Sequence, residues 1–257
     1  MDISYWTALN PNIKFLNTKK LMHRKYLYRL DVHAPGANAL RFSDNIDEQI
    51  RKRNERVRHY NVGSWRPLSR TEVTPAQVDL LKQIKLGWDS LPDNKHLKMR
   101  IEEPNIQFYF QKESEIHPVV KFLLKGNNNH IVHLMRPESP DAEKLLLEGY
   151  VLRKKSVEWR YRMIIRDGRY SEETKQQFAN YLSHLGDQVK VPENLSKQLD
   201  KGGWIWSGYV YLQDPALASM ITLIDPNLVS KIEEFKSTTP EEINTTIIQE
   251  SENGHNT

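Results

Sequence analysis

Apolar and polar residues alternate with a period of two from Lys25 to His33, where Tyr26, Tyr28, Leu30 and Val32 share one side. That is the signature of a half-buried strand. Ala34-Pro35-Gly36 ends it. Ser43 or Asp44 can cap a helix reaching about Tyr60, with a thin apolar edge of Ile46, Ile50 and Val57 and a surface otherwise rich in Arg and Lys. Thr74-Pro75-Ala76-Gln77 opens a second helix, because Thr caps, Pro fits the first turn and Gln completes a capping box. Leu81, Ile84 and Trp88 continue its buried stripe. Strands follow at 97–102 and 106–110. A helix starts near Ser114 and tolerates Pro118 in its first turn. A short strand at 130–135 and a short helix at 141–147 complete this half, while residues 1–24 read as irregular.

The pattern restarts near Val157. Trp159–Arg166 alternates as a strand, and Ser171 caps a helix whose Phe178, Tyr181, Leu182 and Leu185 fall at i, i+3, i+4 and i+7, one helical face. Gly186 suits its C-terminus. Gln188–Val191 is a brief strand. Trp204–Leu212, dense in aromatic and β-branched residues, reads as one continuous strand. A last helix runs between Asp214-Pro215 and Asp225-Pro226, and a strand follows at 230–235.

These halves correspond. Residues 28–33 match 161–166 at an offset of 133. Phe108, Phe110, Ile116, Val119, Val120 and Leu123 match Tyr209, Tyr211, Leu217, Met220, Ile221 and Ile224 at an offset of 101. Each half has the order β-α-β-β-α-β, which implies an α+β protein of two tandem ferredoxin-like units with antiparallel sheets, the first carrying a basic helical insertion. The expected organisation is an irregular segment at 1–24, a first unit at 25–150, a second at 151–236 and a disordered tail at 237–257. In this fold one sheet face packs under helices and the other stays open.

Charge adds a second element. Residues 51–70 hold Arg51, Lys52, Arg53, Arg56, Arg58, Arg66 and Arg70 against Glu55 alone, a local +6 in a chain whose total is +4. Such a cluster attracts polyanions. In the second unit, placing Met163, Ile165, Val210 and Leu212 against the helices leaves Arg160, Arg162, Arg166, Tyr209 and Tyr211 on the open face. The same alternation puts Trp204 and Trp206 on the buried side, with Val210 and Leu212. Aromatic rings among guanidinium groups suit single-stranded nucleic acid, since rings stack on bases and cations meet phosphates.

Composition narrows the classes further. With 38% hydrophobic and 27% charged residues the balance is globular. No apolar run is long enough to span a membrane. The first residues, MDISYWTALNPNIKF, do not form a signal peptide, so a cytoplasmic or virion location is expected. The absence of cysteine excludes disulfides, thiolate metal sites and Cys nucleophiles. His130 and His133, three apart on a strand, point to opposite faces and do not make a metal site. No phosphate loop, dinucleotide fingerprint or nucleophile elbow is present, and no cofactor is implied.

Gly208-Tyr209-Val210-Tyr211-Leu212 resembles the G-F-G-F-V core of an RNA recognition motif's third strand, with Val210 in place of the small residue and Ser207 in place of the basic one. The tandem layout is similar to that of CRISPR RNA-processing endonucleases, but Gly202-Gly203 and Gly208 fall short of their glycine-rich loop. His33 and His184 are the acid–base candidates such a role would use, and neither has supporting neighbours in the sequence. The leading expectation is a non-enzymatic single-stranded nucleic-acid-binding protein. The alternative is a structural or assembly protein, of the kind bacteriophages build, that buries its open sheets against other subunits. A metal-independent RNA endonuclease ranks third.

Overall fold

The computed structural model describes residues 3–41, 45–63 (60–63 by backbone only), 71–91, 96–154, 158–201 and 203–238. The chain is α+β and divides into two compact units, Met1–Glu138 and Ser139–Thr257. Among the described residues it has eight α-helices, two five-stranded sheets and a two-stranded ribbon. None of those helices is long and apolar enough to cross a membrane.

The first unit runs α1 (Ile3–Leu9), β1 (Lys14–Asn17), β2 (Tyr28–His33), α2 (Ile46–Gly63), α3 (Pro75–Asp89), β3 (Leu97–Glu102), β4 (Asn105–Phe110), α4 (Ile116–Leu124) and β5 (Ile131–Arg136). Helix α1 and strand β1 lie in the segment that reads as irregular in sequence. Each is too short for its periodicity to register, and β1 exists because it pairs in parallel with β5. The sheet order is β1-β5-β2-β4-β3, antiparallel except at β1. Leu30, Val32, Ile106, Phe108 and Phe110 of the sheet and Leu81, Ile84, Ile116, Val120 and Leu123 of the helices are all buried in the core.

Local chemistry explains the helix starts. Thr74 Oγ1 accepts from the Gln77 backbone N–H and Gln77 Oε1 accepts from the Thr74 N–H, closing the capping box in front of Pro75. Gly36 turns the chain after β2 with φ of +88°, and a Cβ there would lie 2.6 Å from Ile50 Cδ1. Only glycine satisfies both conditions.

The second unit opens the same way, with α5 (Pro140–Leu147) and β6 (Val151–Arg153), then β7 (Tyr161–Ile165), β8 (Gly168–Arg169), α6 (Glu172–Leu185), β9 (Val189–Lys190), α7 (Glu193–Asp200), β10 (Trp204–Ile205), β11 (Tyr209–Leu212), α8 (Ile221–Ile224) and β12 (Val229–Ser237). Its sheet order is β6-β12-β7-β11-β9, with β6 parallel to β12 and the other pairs antiparallel. This five-stranded sheet has the same succession of strand directions as that of the first unit, while β8 and β10 pair apart from it as the two-stranded ribbon. Helix α7 was not legible in sequence. The expected last helix is only a 3-10 turn, Pro215–Ala218, followed by the single turn α8. The expected tail falls, from residue 239 on, outside the described residues.

The registers correct the offset between the halves. Arg29 faces Tyr109 and Leu30 faces Phe108, while Arg162 faces Tyr211 and Met163 faces Val210. At the constant offset of 133 for the first strand, its partner strand is therefore displaced by 102, not 101. A slip of one residue exchanges the faces of a strand. The buried Phe108 and Phe110 thus correspond to the buried Val210 and Leu212, and not to Tyr209 and Tyr211.

Trp204–Leu212 is also not one strand. Ser207 adopts φ of +50°, and its N–H donates to Asp167 Oδ1 at 2.6 Å. The alternation shifts by one across this kink, so Ile205, Val210 and Leu212 all enter one core with Met163, Ile165, Phe178 and Leu195. Trp204 and Trp206, expected on the buried side, are exposed.

Candidate nucleic-acid interface

The candidate surface comprises the face of the second sheet that points away from its core and the neighbouring β8–β10 ribbon. Val210 and Leu212 face the core, so Tyr209 and Tyr211 project from the other face of the sheet, while Trp204 and Trp206 flank the buried Ile205 on the separate β8–β10 ribbon, across the kink at Ser207. Tyr209 and Tyr211 are half-buried and meet edge to face, 5.3 Å between centroids. Trp204 and Trp206 are stacked at 4.9 Å with 9° between planes.

Cations sit across from the rings. Directly opposite residues of an antiparallel pair share a face. Arg162 and Lys190 flank Tyr211 from the two neighbouring strands, and Arg169 faces Trp204. Arg162 lies 5.6 Å from the Tyr209 ring centroid and 5.3 Å from that of Phe235, and Arg153 lies 4.1 Å from the latter. These are cation–π distances.

The guanidinium of Arg162 is committed. It donates to Glu233, which also accepts from Lys231, and the Glu233 side chain is 7% exposed. Burial pushes the Glu233 carboxyl upward, but the hydrogen bonds from Lys231 and Arg162, with their charges, outweigh it and leave it below the ordinary range. Arg162 therefore fixes the platform and is not a free phosphate ligand. Arg160 pairs with Glu234 at 2.8 Å. Arg166, Arg169 and Lys190 are exposed and carry no ion pair among the described residues.

The basic helix is less basic in three dimensions than in sequence. Arg51 pairs with Glu55 at 2.6 Å, Lys52 with Glu48 at 2.7 Å and Arg58 with Glu72 through two bonds of 2.9 Å. Arg53 donates to the Thr71 carbonyl and lies 3.6 Å from Glu103. Hydrogen bonds from Lys52 and Arg58 hold Glu48 and Glu72 below their ordinary range. Arg56 alone of the five described cations is exposed and without an ion pair among the described residues. Arg66 and Arg70 lie outside the described residues.

The remaining histidines are dispersed. His133 Nδ1 is 3.3 Å from Asp31 Oδ2, and Asp31 is held by Arg29 at 2.9 Å. His130 contacts the His33 carbonyl, and His184 the Asn180 carbonyl. Among the described residues no group of three His, Cys, Asp or Glu could hold a metal ion.

Sequence reasoning missed Trp204 and Trp206 as surface residues. The signal was the Ser207-Gly208 pair, a turn-forming dipeptide inside an apparent strand. No family model matches this chain, and no curated protein sequence does either.

Proposed function

We propose that the chain is a non-enzymatic protein that binds single-stranded nucleic acid along the open face of its second unit. We also read the units as two diverged ferredoxin-like folds. In each, the last, first, third and second strands of the β-α-β-β-α-β order lie side by side, as β5-β2-β4-β3 and β12-β7-β11-β9. The observation that carries the functional reading is two surface aromatic pairs next to each other in the chain, Tyr209 and Tyr211 on the open sheet face with Lys190 opposite, and the stacked Trp204 and Trp206 on the β8–β10 ribbon with Arg169 opposite and Arg166 just before it in the chain. Rings of this kind stack on bases irrespective of sequence, and unpaired cations neutralise phosphates.

The test is titration of labelled oligouridylate and oligothymidylate with the full chain, read by anisotropy. Binding in the micromolar range or tighter is expected for the single strands, with a duplex of the same length bound more weakly. Equal binding of duplex and single strand would refute the stacking role.

Met220 and Leu223, apolar and exposed by 54% and 76%, favour a second reading, a structural or assembly protein of the kind bacteriophages build. A large oligomer on sizing, lost in Leu223→Ser, would favour it over the first.

A further inference from the structure

The two exposed tryptophans are held more firmly than a surface patch requires. Ile205, between them, is fully buried in the core. Gln198 on α7 clamps the backbone of Trp206 from both sides: its Oε1 accepts from the Trp206 N–H at 2.6 Å and its Nε2 donates to the Trp206 carbonyl at 3.2 Å. Asp167 holds the next N–H, that of Ser207. Gly208 then packs so closely that a Cβ would lie 2.8 Å from Ile205 Cγ2. The backbone under the rings is fixed, and only side-chain torsions are free to move them.

We propose that Trp204 and Trp206 are the two walls of a clamp that takes one unpaired nucleobase between them, a specific use of the nucleic-acid face on which this inference rests. Residues i and i+2 of a strand are about 6.6 Å apart. A nucleic-acid strand rises about 3.4 Å per stacked base, so a base with a ring on either side needs about 6.8 Å. The spacing of the two anchors therefore suits one intercalated layer. The rings stack at 4.9 Å and shield each other's inner faces. Upright rotation opens the slot without moving the backbone.

The surrounding charge selects a nucleotide over an uncharged planar ligand. Arg169 lies directly across from Trp204, and Arg166 sits at the kink; both are exposed and without ion pairs among the described residues. Asp167, the nearby carboxylate in the chain, already accepts from Ser207.

The experiment measures the affinity of the native chain, Trp204→Ala, Trp206→Ala and the double variant for oligothymidylate and for an oligomer of abasic deoxyribose phosphates. Both rings are exposed, and unchanged unfolding midpoints verify that the variants fold. A clamp needs both walls. Each single variant is expected to weaken oligothymidylate binding roughly tenfold or more, the double variant no further than about twofold beyond either, and the abasic oligomer to bind all four proteins alike. Losses that multiply in the double variant would mean two independent platforms and overturn the clamp. Equal losses for the abasic oligomer would overturn the base contact. Unchanged binding in the Trp variants, with loss in Tyr209→Ala/Tyr211→Ala, would overturn the clamp and leave the nucleic-acid face standing. A native chain that binds neither oligomer would overturn both. Dimerisation that the Trp variants abolish would assign the pair to a second copy of the chain and overturn the clamp.

Discussion

Lys175 offers a quantitative test of how the second unit supports its surface. Its side chain is 2% exposed, inside the packing of α6, and its ammonium donates to the carbonyls of Gln198 and Lys201 at 2.8 and 2.7 Å. These carbonyls lie at the C-terminal end of α7, where helix carbonyls lack partners and carry partial negative charge. The ammonium caps that end and anchors the helix from which Gln198 reaches Trp206. Lys175→Met keeps most of the stem and removes the cation. Two partly buried carbonyls left without this donor cost up to about 1–3 kcal/mol each, less where water reaches them. Relief of the ammonium's desolvation offsets part of this, since burying a charge costs several kcal/mol. The expected net loss is about 1–3 kcal/mol, and at roughly 4 °C per kcal/mol for a unit of this size the midpoint falls by about 4–12 °C. Urea unfolding followed by tryptophan fluorescence measures it, with an unchanged slope showing that the transition is comparable. A variant as stable as the native chain, or more so, would refute the claim that Lys175 holds α7 in place.

Three further outcomes follow from single contacts. Gly208→Ala puts a Cβ 2.8 Å from Ile205 Cγ2, 3.1 Å from Leu195 Cδ1 and 3.3 Å from Ile165 Cβ, and is expected to cost about 1–3 kcal/mol in denaturant unfolding. Thr74→Ala removes half of a capping box and should destabilise the first unit by about 1 kcal/mol, read from the thermal midpoint, with Thr74→Ser restoring most of it. Glu233 titrates below its ordinary value in the folded chain, so its contribution to stability is complete above about pH 4.5 and is lost as pH falls through the lowered folded value. Acid unfolding of Glu233→Gln should accordingly be less steep over that window, while the variant is already less stable at neutral pH.

Local signals in the sequence carried much of the architecture. The capping box at Thr74, the i, i+3, i+4, i+7 stripe of α6 and the alternation of β2 and β7 each depend on residues a few positions apart, and each is where its pattern puts it. What was not legible depends on distance or on a single torsion. The positive φ of Ser207 shifts the alternation of the following strand, so a continuous reading buried Trp204 and Trp206 on paper while the fold exposes them. The offset of 101 failed for the same reason, because one residue decides the face. The cluster at 51–70 looked nearly unopposed because all its counter-charges but Glu55, namely Glu48, Glu72 and Glu103, lie outside that window, the last of them beyond α3 and β3 in the chain. Helices α1 and α7, of 7 and 8 residues, are too short to form on their own propensity and owe their existence to packing of Trp6 and Leu195.

The most direct measurement on the open face is the salt dependence of oligothymidylate binding by the native chain and by Tyr209→Ala/Tyr211→Ala. Three cations without ion pairs among the described residues, Arg166, Arg169 and Lys190, border the two aromatic pairs. With about 0.7 counterions released per neutralised phosphate of a single strand, the log–log slope for the native chain should be close to −2. The double variant should keep that slope and bind more weakly by about thirtyfold or more, since two stacked bases at about 1–3 kcal/mol each are lost. A native slope near zero, or an affinity that the loss of both tyrosines leaves unchanged, would contradict a nucleic-acid-binding face on the second sheet.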